Sequence, residues 1–170
     1  MRLHAPILET RVLRWTDEAA CAAWAASLAA KPELRNAFIE LHGPLGAGKT
    51  TFVRHLLRAL GVQGRIKSPT YAVVEPYLQD GTEISHFDFY RFEDPREWED
   101  AGFRDTFARP GLKLAEWPDK AADLLPACDL RLHLAIDMTT NTDPNTDTDA
   151  ADGRTVTAHA LSARGEALLR

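Results

Sequence analysis

"GPLGAGKT", Gly43 to Thr50, is the stretch on which the reading of this 170-residue chain turns. Four residues separate its first glycine from Gly48, which leads directly into Lys49 and Thr50. That spacing lets backbone N–H groups converge on phosphate oxygens at a helix N-terminus, where unsatisfied donors and the helix dipole both favour an anion. The plainer alternative is a glycine turn before an ordinary helix, and the flanks argue against it. Upstream, AFIELHG (37–43) is a short apolar run closed by glycine and predicts a buried strand. Downstream, TTFVRHLLRAL (50–60) places Val53, Leu56, Leu57 and Leu60 on one helical face, with Gly61 where a helix-terminating glycine belongs. Strand, glycine loop and helix are the setting that a phosphate loop requires.

In such a loop Gly43, Pro44, Leu45, Gly46, Ala47 and Gly48 wrap the phosphates. Lys49 is expected to bridge the β- and γ-phosphates and to serve catalysis, and the Thr50 hydroxyl to ligate Mg²⁺. Thr51 either assists or simply packs. Magnesium also needs acidic support, because a hard cation keeps waters and takes one or two carboxylates beside the phosphates. Asp88 in EISHFDFYR (83–91) and Glu116 at the end of LKLAE (112–116) lie where strands should end near the loop. Asp88 could hold or polarise an attacking water, and Glu116 could bind the ion directly or through water; either could instead be a surface carboxylate. His86 reads first as a packed, hydrogen-bonded histidine, and KSPT (67–70) as a plain turn or a nucleotide-sensing segment.

Working outward, the length suits one α/β domain, with no room for a separate substrate domain. A formal net charge of −5 argues against direct DNA or RNA binding, because phosphate contacts need a basic face. Two cysteines, Cys21 and Cys128, are too few for a disulfide framework and read as small apolar residues in a reducing compartment, the cytoplasm by default. The N-terminus lacks a signal-peptide apolar core and no apolar run is long enough to span a bilayer, so no membrane association is expected.

Elsewhere helices and strands alternate. Thr16 or Asp17 can cap a helix over 17–31 with the stripe Cys21, Trp24 and Leu28. YAVVEPYL (71–78) reads as extended, and Pro76 assigns it to a sheet edge or a bend. In 83–91, Phe87 and Phe89 face one side while His86, Asp88 and Tyr90 face the other. Asp94, Pro95 and Glu97 start a helix that stops near Gly102. GLKLAEWP (111–118) is a short strand closed by Pro118. DLRLHLAID (129–137) alternates and suits an antiparallel strand with one wet face. Residues 137–153 are rich in Thr, Asp and Asn and read as a mobile polar loop without EF-hand spacing, before a strand at 154–161 and a short terminal helix.

Taken together, GPLGAGKTT, KSPTY, HFDFYR and EWP, in this order and at these separations, resemble the bacterial TsaE (YjeE) family. The likeness runs from the TDEAA helix to GRTV near the C-terminus. The resemblance implies a phosphate-loop NTPase fold, three-layered, with a mixed central β-sheet flanked by helices. It implies a weak, Mg²⁺-dependent ATPase working in synthesis of tRNA threonylcarbamoyladenosine with the partner proteins TsaB and TsaD, tRNA being reached only through that complex. Carried over by position, it gives Asp88 a role in hydrolysis, makes Thr50 and Glu116 magnesium ligands, and puts nucleotide contacts at Thr16 and Arg154. Pro44 departs from the family's usual aspartate and Ala72 from its usual threonine. The polar stretch 137–153 looks like an insertion.

A small-molecule kinase would use the same loop but needs an acceptor pocket and a mobile lid, for which Arg91, Arg96, Arg104 and Arg109 are the available arginines. A nucleotide-sensing module without useful hydrolysis is the other rival.

Overall fold

Apolar alternation builds the centre of the molecule. In β2 (Phe38–His42), Ile39 and Leu41 point to one side of the sheet and Phe38 to the other, and four of the five residues are buried, as befits a strand covered on both faces. The structure, a computed structural model, describes residues 5–69, 72–100, 102–137 and 153–170. Its strands are β1 (Glu9–Trp15), β2, β3 (Val74–Gln79), β4 (Thr82–Asp88), β5 (Leu112–Glu116), β6 (Leu130–Ile136) and β7 (Arg154–Ala160). All seven form one sheet in the order β1-β7-β6-β2-β5-β4-β3. The four central strands β6, β2, β5 and β4 run parallel, and antiparallel pairs β1–β7, β7–β6 and β3–β4 complete it.

Among the described residues five α-helices flank the sheet: α1 (Glu18–Ala29), α2 (Lys49–Ala59), α3 (Pro95–Asp100), α4 (Phe103–Ala108) and α5 (Ala163–Leu169). Asp17 caps α1 by accepting from Ala20 N at 2.8 Å. Helix α2 buries Phe52, Val53, Leu56 and Leu57 against the sheet and packs beside α1, where Trp15, Trp24 and Phe52 cluster with ring centroids 5.6 to 5.9 Å apart. The opposite face holds an aromatic cluster of Phe38, Phe87, Phe89, Phe92, Trp98 and Phe103 beneath α3 and α4. The sheet is therefore mixed and sandwiched between helices, as the resemblance implied.

Several elements differ from expectation. Strand β6 alternates as read, but only its β7 side is antiparallel; on the other side it runs parallel to β2. One strand's polarity pattern reports its faces, not the direction of its neighbours. Strand β1 was not foreseen, because its charges interrupt the apolar pattern and Val12 stays exposed. Helix α4 was not foreseen as a separate element: the chain turns at Gly102 in the left-handed region and restarts at Phe103. Pro76 does lie in an edge strand, β3. Cys21 and Cys128 are free and buried, and burial together with nearby Glu18 pushes the Cys21 thiol up to about 12. Of the stretch 137–153, residues 138–152 lie outside the described residues, as do Thr70 and Tyr71; the ends meet through Asp137 N donating to Gly153 O at 3.0 Å. Among the described residues no helix is long and apolar enough to cross a membrane.

Candidate phosphate-binding site

Strands β2, β5 and β4 are parallel neighbours, so their C-terminal ends reach the same edge of the sheet. That is where ligands bind in open α/β sheets. The phosphate loop leaves β2 there, Glu116 ends β5, and Asp88, which ends β4, stands opposite Glu116 in register. Residues 42, 88 and 116 are far apart in the chain and are brought together by strand order alone.

The loop's shape depends on its glycines. Gly43 has φ 147°, and a Cβ there would come within 2.5 Å of Leu134 O, so both conformation and space exclude a side chain. Gly48, at φ 102°, caps α2 without any side-chain hydrogen bond. The first-turn N–H groups of a helix have no partner within it. An anion in the loop would supply one.

Lys49 lies inside this loop. Its Nζ donates to Gly43 O at 2.6 Å and Pro44 O at 2.9 Å and sits 4.3 Å from the centre of the Trp117 ring. Burial pushes its ammonium below the ordinary lysine value, and the charges of Glu116 and Asp88 oppose that. Trp117 has a left-handed backbone, φ 53°, a strained conformation for so bulky a residue, and its indole packs against Tyr90 with centroids 5.0 Å apart.

The carboxylates are held differently. Glu116 is buried: Thr50 Oγ1 donates to its Oε1 at 2.8 Å, and His86 Nε2 lies 2.6 Å from its Oε2. Asp88 accepts from Ser68 Oγ at 3.0 Å and from Tyr90 N at 3.0 Å. Arg154, at the start of β7, grips the loop from outside, donating from Nε to Ala47 O at 3.0 Å and from Nη2 to Gly46 O at 3.2 Å.

Two adjoining clefts meet here. One, of about 360 Å³, is lined by Gly46, Gly48, Lys49, Thr50, Thr51, Ser68, Asp88, Glu116 and Trp117, with exposed Leu45 at its mouth. The other, of about 370 Å³, is lined by Trp15, Asp17, Glu18, Cys21, Ala47, Gly48, Thr51 and Arg154. Shared walls at Gly48, Thr51 and Arg154 make them two parts of one groove.

Most residues singled out in the sequence thus converge. Thr16 is exposed and does not line the groove, whereas its neighbours Trp15, Asp17 and Glu18 do. Pro44 contributes its carbonyl to Lys49. Arg154 touches the groove and also the loop backbone, a contact that sequence reading missed. Ser68 and Trp117 were quoted only within motifs, and their contacts with Asp88 and Lys49 need the folded chain. Of the arginines weighed as a kinase lid, Arg96 pairs with Asp94 and Arg109 with Glu83.

The donor set also fits a magnesium ion. A hydroxyl and a carboxylate stand together at the phosphate end with a second carboxylate across the cleft, all hard oxygen donors. Among the described residues no cluster of three or more His, Cys, Asp or Glu could hold a metal. Such an ion would therefore share its ligands with phosphate and water.

The fold and the groove define an α/β protein of the phosphate-loop class. Residues 15–146 match the family described as "Threonylcarbamoyl adenosine biosynthesis protein TsaE", and the chain belongs to that family. It is similar to the "tRNA threonylcarbamoyladenosine biosynthesis protein TsaE" of Haemophilus influenzae, 46% identical over 96 residues that cover 56% of this chain and 61% of the relative. The Bacillus subtilis protein of the same name is 38% identical over 88 residues, covering 52% of this chain and 54% of the relative. The matched part thus spans less than two thirds of these two relatives. A crystal structure described as that of "Bacillus subtilus YdiB" superposes with TM-score 0.72 at 26% identity, covering 95% of this chain and 92% of that one.

Proposed function

We propose that the protein binds and hydrolyses ATP as a subunit of the machinery that makes threonylcarbamoyladenosine in tRNA, driving turnover of a TsaB–TsaD partner pair through an ATP-dependent switch in the cytoplasm. The observation that carries this reading is the contact of Thr50 with Glu116 at 2.8 Å beside the phosphate loop, with Asp88 opposite Glu116. It joins a helix N-terminal hydroxyl to an acidic strand end, the pairing that a nucleotide-bound magnesium needs.

Magnesium would be held by the Thr50 hydroxyl and the Glu116 carboxylate, where it supplies neutralisation of phosphate charge. Lys49 exchanges the Gly43 and Pro44 carbonyls for the β- and γ-phosphate oxygens, replacing neutral acceptors of its ammonium with anionic ones. The N–H groups opening α2 complete the phosphate cradle, and Arg154 keeps the loop in the shape that presents them. Asp88, fixed by Ser68 and Tyr90, keeps lone pairs to orient an attacking water. Tyr90 and Trp117 form the rim through which the phosphate end would be felt by a partner.

The test is ATP hydrolysis with Mg²⁺, alone and with TsaB and TsaD from the same organism, for the native protein and for Lys49→Ala, Asp88→Ala and Glu116→Ala. The partners should stimulate the native protein. Each substitution should lower the rate by roughly 100- to 1,000-fold, the typical effect of removing one electrostatic contributor to the transition state. A rate indifferent to the partners would refute the switch, and native rates in the variants would refute the site.

A further inference from the structure

Beneath Glu116 lies a buried side chain with no part in the chemistry proposed above. We propose that His86 is a positioning residue for a divalent cation: it clamps Oε2 of Glu116, so that Oε1 alone is presented at Thr50 beside the phosphate loop. This rests on the reading of the groove as a magnesium–nucleotide site.

His86 is fully buried, and its Nε2 lies 2.6 Å from Glu116 Oε2. In the β4–β5 register His86 stands opposite Leu114, so its ring reaches along the strand to meet Glu116 two residues on. Glu116 Oε1 is taken from the other side by Thr50 Oγ1 at 2.8 Å. The terminal torsion of a glutamate is broad, so packing alone does not fix how the carboxylate is turned toward the loop. Two donors on opposite sides do.

The direction of the histidine bond follows from the groups. A carboxylate has no proton to give, so Nε2 is the donor. Nδ1 is buried with no hydrogen-bond partner among the described residues. A proton placed there would be an unsatisfied buried donor, so the favoured ring carries its proton on Nε2 only. With Oε2 held by that N–H, Oε1 stays available beside Thr50. A histidine N–H that orients a metal-binding carboxylate is a common outer-shell arrangement, and losing such a contact costs roughly 10- to 100-fold in metal affinity.

The experiment measures ADP affinity with and without Mn²⁺ for the native protein, His86→Leu and His86→Gln. The strengthening of ADP binding by Mn²⁺ should fall roughly 10- to 100-fold in His86→Leu. It should recover towards the native value in His86→Gln, whose amide can donate to Oε2. Native enhancement in His86→Leu overturns the clamp, as does a His86→Gln variant no better than His86→Leu, which would assign the loss to packing. Absence of any Mn²⁺ enhancement in the native protein overturns the site reading itself, and the clamp with it. A readout independent of nucleotide is the nitrogen NMR pattern of the His86 ring in the ligand-free protein: a proton on Nε2 is expected, and its absence there overturns the proposal. That measurement decides the matter should His86→Leu fail to fold.

Discussion

The two faces of the sheet are built from different materials. Under α1 and α2 the core is mainly aliphatic, with leucines of α2, β2, β5 and β6, and it gives way at the sheet's C-terminal edge to Lys49, His86, Asp88 and Glu116. Under α3 and α4 it is mainly aromatic: Phe87 alone has ring centroids 5.5 Å from Phe89, 5.3 Å from Phe103 and 4.8 Å from Phe107. Strand β4 belongs to both faces, with Phe87 pointing into the aromatic side between His86 and Asp88 on the other. A slip of one residue would drive Asp88 among phenylalanines and Phe87 into the polar groove. The aromatic face therefore acts as a register lock for the chemistry on the opposite face, and it reaches the groove through Trp117, which packs against the cluster and lies beside Lys49.

The sharpest way to break that comparison is Phe87→Ala. It should cost about 3–5 kcal/mol of stability in denaturant unfolding, the usual loss for a buried aromatic truncated to alanine. The folded fraction should still bind nucleotide, since no groove residue is removed; a loss below about 1 kcal/mol would mean that the aromatic face does not hold β4 in place. Gly43→Ala strikes the other face. Its Cβ would collide with Leu134 O at 2.5 Å in a backbone conformation that alanine avoids. A loss of about 1–3 kcal/mol is expected, together with weaker nucleotide binding, because the backbone shift falls on the phosphate loop itself. Unchanged nucleotide affinity would show that the loop tolerates the shift.

The smallest effect separates the helix-covered centre of the sheet from its β6–β7 flank, where the His133 ring is partly shielded from water between those of His42 and His159, though the residue's outer side is open to solvent. Burial pushes His133 below the ordinary histidine value of 6.5, with His42, His159 and Arg131 reinforcing and Asp119 opposing the shift. Burial and Arg131 push His159 the same way. The unfolded chain thus takes up these protons first as pH falls, so stability declines from about pH 6.5 downward until the folded-state histidines are protonated as well. Melting temperature should fall between about pH 7.5 and pH 5.5, and His133→Gln should flatten that slope. An unchanged slope would place the titration elsewhere.

Much of this was legible one residue at a time. Gly43, Gly48, Lys49 and Thr50 form a local pattern whose strand and helix flanks carry their own periodicity, so the loop needed no tertiary information. The alternation of Phe87 and Phe89 against His86 and Asp88 revealed which side chains share a face. It did not reveal that β6 runs parallel to β2, because a strand's polarity says nothing about its neighbour's direction. Strand β1 escaped because an edge strand with one exposed face carries a weak apolar signal, and the groove wall beside Thr16 is formed by its neighbours Trp15, Asp17 and Glu18, which only the folded chain shows.

The sequence by itself determined the phosphate loop, the two acidic strand ends and the division of β4 between two faces, since each depends on residues within a few positions of one another. Only the tertiary structure decided that Glu116 lies between Thr50 and His86, that Ser68 holds Asp88, and that Arg154 grips the loop from the start of β7. Those contacts join residues 20 to 107 positions apart. They exist only once strand order and register are set, and these are set by how whole faces bury their apolar surface rather than by any short stretch of chain.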